Sequence, residues 1–264
     1  MLFRSKVEML RGYEQSYNER DKDESRDYAR EYVSNFLTSE PMPGIEYEYK
    51  LAKKFIPGIT IKEVNSFAKQ WITNGTNAIA IVTAPEKSST RMPSEQAIEK
   101  AITSMKSLSV DPYVDKVDDS PLIADTCKGS PVISAEQLAF DVTKWTLKNG
   151  VVIFSKSTAF KNDEVLFTSL GWGGWGVYPI ADFPSAMAAD GIVDESGFGN
   201  FSSTMLEKKL TGKVVSCSPF ISELQQGFSG RSSVRDLETL FQLLVGYATS
   251  PRKDDDAFRS MMDK

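Results

Sequence analysis

None of the chain's 264 residues is histidine. That absence removes Ser-His-Asp and Cys-His catalysis, and any zinc site that depends on imidazole. Carboxylates, lysines, tyrosines, serines and two cysteines remain for chemistry. Cys127 and Cys217 lie far apart and have no C-x-x-C partner. They read as two thiols, with a disulfide left open. Asp115, Asp118 and Asp119 could offer oxygen to calcium, but an EF-hand loop needs a central glycine and a bidentate glutamate that are missing here. An acidic surface loop is the simpler reading. Gly171-Trp172-Gly173-Gly174-Trp175-Gly176 suggests a phosphate cradle, yet the predicted helix starts well beyond the glycines and no helix N-terminus faces them. Close backbone packing, with Trp172 and Trp175 over an apolar surface, accounts better for the glycines. No residue is therefore assigned as catalytic, cofactor-binding or metal-ligating.

The stretch that would have to position any chemistry is Glu164–Ile192. Glu164 to Leu170 is a short run rich in Val, Phe and Leu, which predicts a buried strand. The glycine-rich turn follows. Pro184 then fits the first turn of a helix, where its missing N–H has no cost. Ala186, Ala189 and Ile192 recur at near-helical spacing. On this helix, Ser185-Ala186-Met187-Ala188-Ala189 offers one hydroxyl, methyl groups and a thioether.

Before this stretch the chain reads as helices. Residues 2–18 carry Val7, Leu10 and Tyr13 on one stripe, and residues 25–37 carry two apolar rows, Tyr28-Tyr32-Phe36 and Ala29-Val33-Leu37. Rows at this spacing predict core packing. Glu40 to Ile45 is a proline-rich loop, and Leu51–Phe55 suggests a short helix. Thr60 and Glu63 form a capping box, with Ile59 and Val64 placed as a staple. They open a helix whose buried stripe would be Ile61, Val64, Phe67, Ala68 and Trp71. Asn74-Gly75 predicts a turn, Ala78–Thr83 a strand, and residues 93–106 a further helix. Ser107–Val132, rich in Asp, Pro and Gly, is the best linker candidate.

A second region then opens. Asn149-Gly150 between Trp145–Lys148 and Val151–Phe154 predicts a hairpin whose two turn residues both take positive φ. After the 184–195 helix, Thr204 and Glu207 suggest a capping box and Gly212 a helix end. Val214–Cys217 and Phe220–Leu224 predict strands broken at Pro219. Ser233 would cap a helix with Leu237, Leu240, Phe241, Leu244 and Ala248 on one face, and a last helix starts near Asp254. Both chain ends fall inside helical patterns, which predicts a segment of a longer polypeptide.

Bulk properties bound the function. Hydrophobic content of 41% with 25% charge is that of a globular protein. A net charge of −5 argues against nucleic acid, which needs clustered cations. No apolar run approaches the roughly 20 residues that span a bilayer. The opening Met1-Leu2-Phe3-Arg4 leads into a charged helical stretch and predicts no secretory leader. The reading is a soluble chain whose compartment stays open.

Several of these phrases carry a family resemblance. Glu164–Ile192 resembles the segment of pitrilysin/insulinase-type zinc metallopeptidases, the inverzincins, whose helix bears H-x-x-E-H. Ser185–Ala189 falls roughly where that motif would lie, and none of the five side chains binds zinc under ordinary conditions. WTLKNGVVIFSK (Trp145–Lys156) resembles the opening strands of a peptidase domain. EPMPGIEYEY (Glu40–Tyr49) resembles a stretch in the second domain of large bacterial members. Glu46 and Glu48 then read either as a solvated helix face or as a patch lining a substrate chamber.

The resemblance implies an α+β fold of LuxS/mitochondrial-processing-peptidase-like metallohydrolase domains, with mixed helices and antiparallel sheet. Residues 1–86 would be the closing half of a second domain, 87–137 a connector, and 138–264 the opening half of a non-catalytic third domain. It implies a parent enzyme of two bowl-shaped halves around a chamber. Zinc would sit in an amino-terminal domain outside this chain, held by two His and a distant Glu. There it would bring a bound water to a pKa of about 7. The Arg and Tyr that the family contributes from its fourth domain would lie beyond Lys264. The implied role is thus a non-catalytic segment of a zinc metalloendopeptidase acting on peptides or unfolded proteins, serving as scaffold and chamber wall. The implied partners are the rest of the parent polypeptide and a peptide substrate. The alternative is a stand-alone, catalytically dead binding or assembly module of the same fold.

Overall fold

The computed structural model describes residues 1–71, 79–86, 90–105, 107–123 and 128–263, apart from the side chains of Trp71 and Asp263. The fold is α+β, and two compact units divide the chain. One comprises Met1–Pro57 with Val117–Lys264, the other Gly58–Lys116.

The larger unit begins with α1 (Leu2–Asn18), α2 (Ser25–Thr38) and α3 (Ile45–Phe55). α1 and α3 pack together, with Tyr17 against Tyr49 at 5.3 Å between rings. α2 follows the predicted periodicity but not the predicted burial: no residue of it is buried, and Phe36 is 85% exposed. Its apolar rows find no cover within this unit.

The smaller unit contains α4 (Ile61–Trp71) and α5 (Glu95–Met105). The capping box is formed: the Glu63 N–H donates to Thr60 Oγ1 at 3.3 Å and the Thr60 N–H donates to Glu63 Oε2 at 2.7 Å. The expected buried stripe of α4 is not. Ile61, Val64 and Phe67 are exposed and Ala68 half-buried, while the Trp71 side chain lies outside the described residues. Ile79–Thr83 forms no strand, correcting that expectation, since an apolar run without a pairing partner cannot close a ladder. Ala78, the Asn74-Gly75 turn and Cys127 lie outside the described residues.

Past the irregular stretch at 107–123, the larger unit resumes with two antiparallel sheets. The first holds β1 (Val132–Gln137), β2 (Val142–Leu147) and β3 (Val152–Lys156) in that order. β1 is not legible in the sequence. The β2–β3 hairpin is present, but only Gly150 takes positive φ, at 89°. The Gly150 N–H donates to Leu147 O and the Leu147 N–H to Val151 O, both at 2.9 Å. This is a three-residue loop with a glycine bulge, so Asn149 need not leave the ordinary region.

The second sheet holds β4 (Val165–Trp172), β5 (Val215–Ile221) and β6 (Gln225–Ser232) in the order β4-β6-β5. β5 runs unbroken through Pro219. It is an edge strand, so one missing N–H is tolerated. β4 alternates half-buried and exposed residues rather than being buried throughout.

Helices α6 (Phe183–Ser196), α7 (Ser203–Lys209), α8 (Leu237–Thr249) and α9 (Asp255–Asp263) complete this part. α6 and α8 pack on β5, and α9 packs on α6. Ser202 caps α7, accepting from the Met205 N–H at 3.3 Å, in place of the expected Thr204. The buried face of α8 is Thr239, Leu240, Leu243, Gly246 and Tyr247, rotated from the predicted stripe, and Phe241 and Ala248 are exposed. The core joins Phe198, Phe201, Leu206, Cys217, Leu240, Leu243 and Tyr247. Two of its largest members, Phe198 and Phe201, come from the loop after α6.

Phe198 is 1% exposed and meets Tyr247 edge-on at 5.1 Å. Phe198→Ala should therefore cost about 3–5 kcal/mol of unfolding free energy, measured by urea denaturation. A loss under about 1 kcal/mol would mean that this loop does not anchor the core.

Candidate functional site

Strand, glycine-rich turn and helix follow one another as predicted, and backbone contacts fix their arrangement. The Gly173, Trp175 and Gly176 N–H groups donate to the carbonyls of Leu224, Ser222 and Glu223 at 2.9–3.0 Å. Gly174 has φ 73°, and a Cβ there would collide with the Ser222 carbonyl. Glycine is needed both for the dihedral and for this approach. The turn is thus a docking device against the β5–β6 hairpin, as the packing reading requires. Trp175 meets Phe183 edge-on at 5.0 Å. Trp172 does not cover an apolar surface, being 85% exposed.

On α6, Ser185 and Met187 are exposed, and Ala186, Ala188 and Ala189 are half-buried. Ala189 borders a cavity of about 470 Å³ whose other walls include Ser169, Asp190, Val193, Phe228 and Tyr247. One turn further along, α6 turns two carboxylates toward β5. Asp190 accepts the Ile221 N–H at 2.9 Å and the Gly191 N–H at 2.8 Å. Asp194 accepts from Ser218 and Tyr247; burial raises its pKa, and these hydrogen bonds only partly offset the rise. Burial, with the Asp194 charge adding to it, pushes the Cys217 thiol up to about 11 and raises the Tyr247 phenol. Both are protonated near neutral pH and neither is an activated nucleophile. The two aspartates act as anchors of the helix. Among the described residues, no three His, Cys, Asp or Glu side chains gather where they could hold a metal ion. Asp118 accepts the Ser120 N–H and hydroxyl at 2.8 and 2.6 Å, an acidic turn closed on itself. Glu46 pairs with Arg20 at 3.2 Å on the solvated side of α3.

The most connected polar cluster was not singled out from sequence. Arg11 on α1 is 6% exposed. Its Nη1 donates to Glu14 at 2.7 Å, and its Nη2 lies 3.4 Å from Asp236 and 3.8 Å from Asp163. Asp236 also accepts the Val214 N–H at 2.9 Å and the Ser233 hydroxyl at 2.7 Å. Burial pushes its pKa up, but these hydrogen bonds and the charges of Arg11 and Lys213 outweigh that and hold it below the ordinary carboxylate value. Asp163 accepts the Val234 N–H at 3.0 Å. Glu19, at the end of α1, accepts the Asn162 N–H at 2.9 Å and the Asp163 N–H. α1 thereby grips the connections before β4, before β5 and between β6 and α8. The available signal was Arg11 itself, one helical turn beyond Val7 on the apolar side of α1.

Comparison with known proteins sets this geometry beside zinc proteases. No family model matches the chain. An Arabidopsis thaliana protein named "Zinc protease PQQL-like" is 28% identical over 201 residues, 75% of this chain and 21% of that protein. A Haemophilus influenzae protein named "Probable zinc protease PqqL" is 28% identical over 115 residues, 43% of this chain and 12% of that one. Among solved structures, the periplasmic protease PqqL of Escherichia coli matches 98% of this chain with 28% of its own, at TM-score 0.53 and 19% identity. These likenesses are to zinc proteases of the pitrilysin/insulinase type. The ferredoxin protease FusC, in complex with Arabidopsis ferredoxin, matches 90% of the chain at TM-score 0.50 and 19% identity. Both structural likenesses show the shared peptidase fold. The chain spans about a fifth or less of the curated relatives it matches.

Two measurements test the side-chain roles. Arg11→Met leaves buried Asp236 with only Lys213 at 4.0 Å and half-buried Asp163 without its guanidinium, and should cost about 3–5 kcal/mol. Arg235→Met, at the exposed end of the same cluster, should cost no more than about 1 kcal/mol. Equal losses would show that burial does not set the value of the pair. For Asp194, the raised folded pKa means that the folded state keeps a proton the unfolded state has released. Its contribution therefore falls as pH rises from about 4 through the raised value. The urea midpoint of Asp194→Asn, relative to the parent chain, should rise between pH 4 and pH 7 as the carboxyl ionises, and a flat difference would exclude this.

Proposed function

We propose that the chain is a non-catalytic segment of a zinc metalloendopeptidase, acting as scaffold and as part of the wall that confines a peptide or unfolded protein. The observation that carries this reading is α6. It follows β4 and the glycine turn in the order expected of a peptidase helix, and its Ser185–Ala189 side chains cannot ligate zinc. These residues do not fit the metal, so no hydrolytic step is assigned to this chain. Zinc would belong to an amino-terminal domain of the longer parent polypeptide.

In this reading residues 1–86 close a second domain, 87–137 connect, and 138–264 open a third. In this reading the Arg11 and Glu19 contacts are where the first part docks on the third. The partners are the remaining domains of the parent and a peptide substrate, with no role for nucleic acid. Among the described residues no helix is long and apolar enough to cross a membrane. Bacterial periplasm or cytoplasm are the proposed compartments, and the periplasmic Escherichia coli neighbour supports the first.

The test is zinc content by mass spectrometry together with cleavage of a quenched peptide library. It is made on the 264-residue chain and on the product of the full reading frame, read upstream for H-x-x-E-H. Zinc and cleavage in the long product alone are expected. Stoichiometric zinc or turnover in the short chain would overturn the reading.

A further inference from the structure

A recess of about 290 Å³ lies in the larger unit, between α1, α3 and the connections that flank β5 and β6. Its polar lining is Arg11, Arg235 and Lys53, with Glu14 and Tyr49. Three cations and one carboxylate thus line it, with Arg11 also paired to Asp236 and Asp163 behind the lining. Val7 and Leu10 of α1 supply apolar surface beside them. We propose that this recess binds a peptide carboxylate, either the chain terminus or an acidic side chain. This rests on the reading of the chain as the wall of a peptide-confining chamber.

The donor supply supports an anion. Glu14 is shared between Arg11 at 2.7 Å and Arg235 at 3.3 Å, which leaves most Arg235 donors unused by that pair. Arg11 spends Nη1 and Nη2 on the carboxylates around it, so it adds charge at the base of the recess and leaves direct hydrogen bonding to Arg235, Lys53 and Tyr49. The Lys53 ammonium stands over the Tyr49 ring at 4.1 Å, which keeps it at the rim. Burial, with the Glu14 charge adding to it, raises the Tyr49 phenol, so its hydroxyl stays protonated and can donate. A planar carboxylate matches a guanidinium fork and draws further hydrogen bonds from an ammonium and a phenol. The recess is large enough for a carboxylate and a short side chain but not for a folded partner. The apolar contribution of Val7 and Leu10 suits the methylenes that carry such a group.

The test uses four dansylated alanine-rich pentapeptides and the full 264-residue chain. One has a free C-terminus, one is amidated, and two are amidated with a central glutamate or glutamine. Fluorescence titration should give about fivefold tighter binding for each carboxylate peptide than for its neutral counterpart, weakening as salt rises from about 50 to about 300 mM. The Lys53→Ala, Arg235→Ala double variant, which leaves buried Arg11 in place, should lose this preference while keeping its melting temperature. Comparison of the free terminus with the glutamate peptide tells which source is preferred. Sodium acetate should compete with either. Equal binding of charged and neutral peptides, retention of the preference in the double variant, or binding of neither peptides nor acetate would each overturn the site. Acetate binding lost in the double variant, with all four peptides unbound, would keep a carboxylate site and overturn its use for peptides. The chamber reading stands or falls separately, on zinc and cleavage in the longer product.

Discussion

A guanidinium taken out of water sets the terms for the larger unit. Burying Arg11 is costly unless its charge and its N–H groups are answered. Here the charge and the two Nη groups are answered from several parts of the chain: Glu14 on the same helix, Asp163 before β4, and Asp236 before α8, while Nε has no partner among the described residues. Loss of the guanidinium would leave the buried Asp236 charge with only Lys213, at 4.0 Å, beside it. The network therefore favours the single arrangement in which all of these connections meet α1. Asp236 shows which demand prevails. It occupies the N-cap position of α8, where an aspartate ordinarily accepts the first-turn N–H groups. Its carboxylate makes no such bond and turns instead to Arg11, Ser233 and Val214. Tertiary charge neutralisation outweighs local capping.

On the proposed reading α6 stands in the peptidase position, and it illustrates a separation between fold and chemistry. Carbonyls of the β5–β6 hairpin receive the glycine turn, and Asp190 and Asp194 tie the following helix to β5. None of these contacts involves Ser185–Ala189. The five residues can therefore lose every metal ligand without loosening the helix. A fold that seats its helix by backbone contacts and by side chains one turn downstream tolerates such a loss, and a scaffold role needs nothing more from this segment.

Local rules were legible wherever the determinant was local. The Thr60–Glu63 box, the β2–β3 hairpin, the order β4–turn–α6 and the stop of α8 before Pro251 all depend on residues within a few positions of one another. The misreadings share a different cause. Pro219 suggests a break until β5 is known to be an edge. Phe198 and Phe201 sit in what looks like a surface loop, and only the approach of α8 makes them core. Asn149 satisfies a two-residue turn on paper, but the strands close one residue later and leave the left-handed position to Gly150 alone. Arg11 carries the main interlock of the candidate site, yet its partners lie more than 150 residues away, apart from Glu14. No spacing rule reaches that far.

The apolar stripes of α2 and α4 press this further. Periodicity establishes that one face of a helix differs from the other; it does not say what covers it. Phe36 at 85% exposed and the neighbouring Leu37, Val33 and Tyr32 exceed the scattered apolar residues ordinary on a surface. Ile61, Val64 and Phe67 do the same on α4 in the smaller unit. Each helix satisfies the pattern rule, and each leaves these apolar residues exposed among the described residues. On the proposed reading this is the expected state of domains represented only in part: the parent's further elements would bury those faces, as α8 and the second sheet bury Phe198. Burial of such rows contributes about 25 cal/mol for each Å² of apolar surface removed from water. Assembly with the remaining domains would then stabilise α2 and α4 far more than their own capping does.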